Sequence, residues 1–329
     1  MTALAPLVQA FFTHRLTQQR DASPNTVAAY RDTFRLLLRY INDRNGKPPS
    51  KLALEDLDAA VITAFLKHLE TTRGNKVRTV NARLGAIHSF FRYAALQAPE
   101  NAELIQRVLT IPERRFETAV VSYLTRFEID ALLDSPDRTT WTGRRDHALL
   151  LLAVQTGLRV SELAGLRCQD IHLGAGAYVE CIGKGRKQRR TPLSRPTPTI
   201  LGGWLRERRG EPGSPLFPSR AGRPLTRGAI WRLVTKHADT ATERCPSLAT
   251  KHVTPHVLRH SAAMTLLHAR VDVSVIALWL GHESLESTNI YIHADMALKE
   301  RAIERVTPPN TKKGRYTASD DLLDFLDRL

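Results

Sequence analysis

The sequence predicts a mainly α-helical protein of two domains, with one small antiparallel β-sheet in the second. Three observations lead there. A length of 329 residues is more than one ordinary core needs and suits two. Apolar residues recur at three- and four-residue spacing along most of the chain, the period of helices buried on one face. Strand formers are concentrated at Tyr178–Ile182 and at residues 190–193, on either side of a glycine-bearing turn.

Taken in order, the apolar patch at residues 4–12 lacks both a basic leader and a small-residue cleavage site. It reads as the buried face of a first helix. Ser23 and Pro24 offer an N-cap and an N1 proline, after which Val27, Tyr30, Phe34, Leu37, Leu38 and Ile41 follow at helical spacing. Asn45-Gly46-Lys47-Pro48-Pro49 ends that helix. A second set, Val61, Ile62, Phe65, Leu66 and Leu69, stops at Gly74, and a third, from Val80 to Phe91, runs towards Pro99. Between residues 100 and 123 the period weakens around Pro112-Glu113-Arg114-Arg115, and an extended linker is expected there.

The second domain opens with Thr125 and Glu128 spaced as a capping box. A strongly apolar helix from Asp146 to Thr156 meets a C-cap glycine, Gly157. After the hairpin come further helical patterns carrying Trp204, Leu205, Trp231, Leu233 and Val234, separated by a Pro/Gly-rich segment at residues 210–224. Thr254 and Pro255 start one helix, and Asp272 caps another that Gly281 ends. At residues 320–329 leucines and a phenylalanine stand among aspartates, which suggests a short amphipathic helix. The expected division is a helical domain at 1–110, a linker at 111–122, a second domain at 123–316 and a tail at 317–329.

Charge narrows the partner. Lys plus Arg number 48 against 33 Asp plus Glu, a formal net charge of +15, so a polyanion such as nucleic acid is favoured over an acidic small-molecule enzyme. Cys168, Cys181 and Cys245 are widely separated and form no CxxC pair, so neither a disulfide framework nor a zinc site is suggested. They read as reduced thiols of a cytoplasmic protein, and no apolar run reaches membrane-span length.

Candidate chemistry is spread over four places. Arg159 follows a tight turn at Thr156-Gly157-Leu158, where a guanidinium can fork onto phosphate oxygens, or pair with Glu162. Lys184 leads Lys184-Gly185-Arg186-Lys187-Gln188-Arg189-Arg190, either a solvated basic loop or a hairpin whose glycines let the Lys184 ammonium approach a phosphate as proton donor. His256 and Arg259 fall one turn apart on one helix, near its positive end, as an oxyanion clamp would require. His260 reads as rotated away from that pair, a packing or surface histidine. His282 follows the C-cap at Gly281, and Tyr291 lies nine residues further on. Each residue alone has an ordinary structural reading. In the first domain Arg31, Arg35 and Arg39 step by four into a basic stripe, a solvated face or a row of phosphate contacts.

Together these motifs resemble the tyrosine recombinase/integrase family, with Xer-like and phage or transposon integrases nearest in pattern. Thr156-Gly157-Leu158-Arg159-Val160-Ser161-Glu162-Leu163 is similar to that family's first arginine motif, and Gly183-Lys184-Gly185 to its lysine hairpin. Pro255-His256-Val257-Leu258-Arg259-His260 is similar to its His-x-x-Arg box, and Leu280-Gly281-His282 through Tyr291-Ile292-His293 to its closing motif. The resemblance implies a two-domain, C-shaped clamp on duplex DNA, with a SAM-like core-binding domain and a catalytic domain. It implies Tyr291 as nucleophile forming a 3′-phosphotyrosyl bond, Arg159 and Arg259 on the phosphate, and Lys184 as acid. His256 would be base or hydrogen-bond partner, with His282 as a further donor, and neither a cofactor nor a metal would be required. Arg31, Arg35, Arg39, Arg186, Lys187 and Arg189 are the candidate additional DNA contacts. The expected partners are double-stranded DNA with a specific core site and three further copies of the chain in a synaptic tetramer, coupled through the tail. A type IB topoisomerase and a catalytically idle architectural DNA-binding protein are the alternatives. The task, whether integration, excision, transposition or dimer resolution, is not encoded in these motifs.

Overall fold

Helices dominate the described residues, 2–116, 121–183, 188–282, 287–288 and 290–291, of the computed structural model. The chain divides into two units, Met1–Ala119 and Val120–Leu329.

The first unit is built from α1 (Leu4–Ala10), which continues as a π-helical stretch at Phe11–Gln19, and from α2 (Pro24–Asn45), α3 (Ala59–Thr71), α4 (Val77–Gln97) and α5 (Ala102–Leu109). Ser23 accepts the Thr26 N–H at the start of α2, and Gly46, at φ 66°, closes it in the left-handed conformation. Phe11 anchors the core, with ring centroids 5.5 Å from Phe90 and 6.2 Å from Phe34, while Phe34 and Phe90 meet edge-on at 5.2 Å. Helix α5 lies where the sequence pattern weakens. Only Ile105 and Val108 are buried in its eight residues, too few to display a period.

In the second unit α6 (Arg126–Asp134) starts on the Thr125–Glu128 capping box, with the Thr125 N–H donating to Glu128 at 2.7 Å. Helix α7 (Trp141–Thr156) begins five residues before the expected start, because Thr140 Oγ1 accepts the Gly143 N–H. It is buried nearly all round. Its charged residues are internally matched: Arg145 donates to Asp146 at 2.7 and 2.8 Å, and Asp146 also meets His237 at 3.1 Å.

After α8 (Val160–Gly165) comes an antiparallel sheet in the order β1 (Ile171–His172), β2 (Tyr178–Ile182), β3 (Gln188–Pro192). The expected hairpin is therefore present, with a two-residue strand added at its edge. In its register Val179 faces Thr191 and Cys181 faces Arg189. Helices α9 (Thr197–Arg208), α10 (Arg227–Ala241), α11 (Pro255–His268) and α12 (Val273–Leu280) complete the unit. Tyr291 lies in helical chain beyond α12. The sequence-predicted Lys184, Arg186 and Lys187 and the tail at 317–329 fall outside the described residues.

Candidate active site

The site is assembled at the C-terminal ends of two helices. Both α7 and α12 stop on a left-handed glycine, Gly157 at φ 62° and Gly281 at φ 66°. A β-carbon at residue 157 would lie 2.6 Å from Leu280 Cδ2 and 3.2 Å from Ala262 Cβ. Glycine at 157 thus lets the end of α12 close on α7 and α11.

Helix ends expose unpaired carbonyls with partial negative charge, and cations gather there. Arg259, on α11, spans both ends: Nη1 donates to the Gly157 carbonyl at 2.6 Å and Nη2 to the Leu280 carbonyl at 2.8 Å. Arg159 donates to the Gly281 carbonyl at 2.9 Å. Arg189, from β3, donates to the Leu280 carbonyl as well.

One carboxylate fixes two of these groups. Glu162, with a side chain only 4% exposed, accepts from Arg159 Nη1 at 3.0 Å and from Arg189 Nη2 at 3.0 Å. It also accepts the Arg159 backbone N–H at 2.8 Å. Arg159 thus takes the Glu162 pairing that its sequence position allows, while a third of its side chain stays exposed. Three guanidinium groups against one carboxylate leave a surplus of positive charge suited to an anion. Arg259 feels that surplus. Burial first, then repulsion from Arg159, lowers its pKa to about 10, and it remains cationic at neutral pH.

The histidines respond the same way. His256 joins Arg159, Arg259, Arg227 and Trp231 around a cavity of about 570 Å³. Burial, with Arg259 and Arg159 nearby, depresses its pKa. His282 shares a 2.7 Å hydrogen bond with Thr288, and burial followed by the three arginines brings it to about 4. Its ring stacks on Tyr291, with centroids 6.3 Å apart and 11° between planes.

Tyr291 is only 2% exposed and packs among Ala263, Met264, Leu267, Ile276 and Leu280. Burial raises the pKa of its hydroxyl, while Arg259 and Arg159 pull it back down. The hydroxyl lies 3.1 Å from His260 Nδ1. His260 is thus not the unrelated packing or surface residue that its position beside Arg259 suggests. It stands four residues after His256, the spacing that shares a helix face, and the two rings stack at 5.9 Å.

Of the residues singled out from sequence, Arg159, His256, Arg259, His282 and Tyr291 come together here. Arg31, Arg35 and Arg39 are exposed on α2, with Arg31 paired to its neighbour Asp32 at 3.2 Å. Arg189 departs from the exposed basic loop in which the sequence places it. Strand alternation turns it inward with Cys181 and Thr191, leaving its side chain 10% exposed on Glu162, whereas Arg190 points out over Tyr178 at 5.2 Å. Glu162, Arg189 and His260 are residues that sequence reasoning names, as an optional partner, a loop cation and a packing or surface histidine, without placing them in the site. The period-2 pattern of β3 and the i, i+4 relation to His256 are the signals that mark the last two.

The described fold resembles solved recombinases. It aligns with XerH site-specific recombinase bound to a palindromic difH substrate at a TM-score of 0.70 and 24% identity, covering 87% of this chain and 81% of that one. It aligns with the Tn1549 transposon integrase at a TM-score of 0.69 and 18% identity, covering 93% and 99%. Those likenesses define the fold class. The phage integrase family matches residues 122–297, and the phage integrase N-terminal SAM-like domain matches residues 9–98. A putative integrase/recombinase, y4rC of Sinorhizobium fredii (strain NBRC 101917 / NGR234), is 53% identical over 328 residues, 99% of this chain and 98% of its own. Tyrosine recombinase XerC of Herpetosiphon aurantiacus is 32% identical over 92% of this chain and 96% of its own. The chain belongs to the phage integrase family and is a tyrosine site-specific recombinase. Among the described residues no helix is long and apolar enough to cross a membrane.

Proposed function

We propose that Tyr291 attacks a scissile phosphodiester of duplex DNA while Arg159 and Arg259 hold its non-bridging oxygens. The bond from Tyr291 Oη to phosphorus forms as the bond to the 5′-oxygen breaks, and Lys184 protonates that leaving oxygen. The phenolic proton passes to His256 or to solvent in the same step, and a partner strand's 5′-hydroxyl reverses the reaction to complete exchange. The phosphotyrosyl bond conserves the energy of the broken linkage, so rejoining needs no separate activation.

One observation carries this reading: Arg259 is held at both ends of its fork by helix-end carbonyls, 4% exposed, beside Arg159 and the buried Tyr291. A guanidinium so fixed needs little reorganisation when charge grows on the phosphate, which is how preorganised donors accelerate such reactions. His256 faces the same cavity and serves the phosphate as hydrogen-bond donor or the phenol as proton acceptor. His282, stacked on Tyr291, supplies a further donor. Residues 1–110 act as the core-binding domain and 123–316 as the catalytic domain, joined by the linker at 111–122. The charge of +15 supports a nucleic-acid partner.

The test is a nicked suicide duplex carrying a site selected by the purified protein from random sequence. Wild type should accumulate a covalent adduct that Tyr291→Phe does not form, with DNA affinity retained. Binding without adduct in the wild type would instead favour an architectural protein. For strand exchange the protein works as a tetramer, and the leucine-bearing acidic segment at 320–329 docks on a neighbouring copy. Removing it should spare single-site cleavage and impair pairing of two sites; unchanged recombination would sink the docking role.

A further inference from the structure

We propose that His260 is a positioning residue for the nucleophile, its Nδ1 anchoring the Tyr291 hydroxyl in the uncleaved enzyme. The inference rests on the reading of Tyr291 as the attacking group and adds the contact that sets where its oxygen sits. Three observations carry it. The hydroxyl is 3.1 Å from Nδ1, the two rings meet edge to face at 5.6 Å and 63°, and Tyr291 is 2% exposed. With so little solvent access, a water molecule cannot readily replace a lost partner, so the imidazole decides whether the phenolic O–H is satisfied in place.

The charge state of the ring follows from the surroundings. His260 is faced by His256 and Arg259 on its own helix, by Tyr291, and by His282 beyond α12, while Arg159, the N-cap residue of α8, adds positive charge to the cluster. Nothing in that set favours a second positive charge on the ring. Burial first, and then His256 and Arg259, hold the His260 pKa at about 4. With the proton of the neutral imidazole on Nε2, Nδ1 accepts and the Tyr291 O–H donates to it. Such a ring is a weak proton acceptor, which makes anchoring rather than proton removal its contribution.

The backbone makes the contact reproducible. His260 stands one residue past Arg259, which is locked to the ends of α7 and α12, and four past His256, on which its ring stacks at 20° between planes. The nucleophile's anchor and the phosphate's clamp are therefore consecutive residues of one helix. Any shift of α11 moves both together. In-line attack tolerates little misplacement, because an error of about 1 Å is enough to reduce the rate roughly a hundredfold.

The test uses the full-length chain in three forms: wild type, His260→Leu, which removes the acceptor, and His260→Asn, whose side-chain oxygen can stand near the Nδ1 position. Single-turnover adduct formation on the nicked duplex should fall roughly ten- to hundredfold in His260→Leu. DNA affinity should hold, and His260→Asn should recover most of the rate. In DNA-free protein, 3-fluorotyrosine installed at position 291 should change its 19F resonance in His260→Leu and return towards wild type in His260→Asn. An unchanged rate and resonance in His260→Leu would overturn the proposal. So would equal loss in both variants, or faster cleavage in His260→Leu. Persistence of the adduct in Tyr291→Phe would refute the nucleophile reading alone, because the fluorine comparison tests the His260 contact without DNA.

Discussion

Both units have an apolar core, and they differ in what they bury beside it. The first packs aromatic rings, with Phe11, Phe34, Phe90 and Phe91 buried and its arginine stripe outside. The second buries charge: Arg145 with Asp146 and His237, Glu128 with Lys251, and Glu162 with Arg159 and Arg189. Apolar contacts are tolerant of small displacements, whereas buried ion pairs fail when one member is lost. The difference teaches where this enzyme needs fixed geometry. A unit with no buried guanidinium cluster can rely on a hydrophobic core, while one that holds guanidinium groups in place needs carbonyls and carboxylates aimed at them.

That contrast can be broken by paired substitutions. Phe90→Ala in the first unit should lower stability by about 4 kcal/mol through the cavity it opens. Glu162→Ala in the second should lower it by about 3 kcal/mol, the low end for a broken buried pair because Arg159 is a third exposed. Calorimetry reads both. The distinguishing result is kinetic: Glu162→Ala should also slow adduct formation, because Arg159 and Arg189 lose their common anchor, whereas Phe90→Ala should leave that step nearly unchanged once DNA is saturating. Equal kinetic effects would dissolve the contrast.

Acid should sharpen it. His147, His256, His260 and His282 of the second unit have depressed pKa values, led in each by burial, and so has His88 of the first. An unfolded chain binds protons on these groups below about pH 6.5 while the folded one resists until about pH 4 at His260 and His282. Their stabilising contribution is thus complete above pH 6.5 and is lost as the pH falls towards 4. All four tryptophans, Trp141, Trp204, Trp231 and Trp279, lie in the second unit, so their fluorescence reports its melting. That melting temperature should drop between pH 7.5 and 5; a flat profile would contradict the buried neutral histidines.

The smallest effect belongs to the first unit. Replacing Arg31, Arg35 and Arg39 with Ala should leave stability nearly intact, since all three are exposed. If they contact phosphates, the slope of log affinity against log salt should shrink by about 2.7, roughly 0.9 for each contact. An unchanged slope would return the stripe to a solvated helix face.

Much of the architecture was legible because its signals are local. Ser23, Thr125, Thr254 and Asp272 cap the helices they precede, and Gly46, Gly157 and Gly281 end theirs in the left-handed conformation. What escaped had signals too short or too distant. Helix α5 shows only two buried residues, and β1 has two residues altogether. Arg189 looked like one cation in a basic loop because its partner, Glu162, is 27 residues away.

The sequence by itself determined the two units, the helical class, the hairpin and the order of the chemical motifs, since caps, periodicity and turn residues act over a few positions. Tertiary structure alone decided the company each motif keeps. It brought the ends of α7 and α12 close enough for Arg259 to bridge them, turned Arg189 inward onto Glu162, and set His260 against the Tyr291 hydroxyl. Those pairings depend on packing between segments far apart in sequence, 122 residues in the Arg159–Gly281 hydrogen bond; a local pattern can say which face a side chain takes but not which partner it meets there.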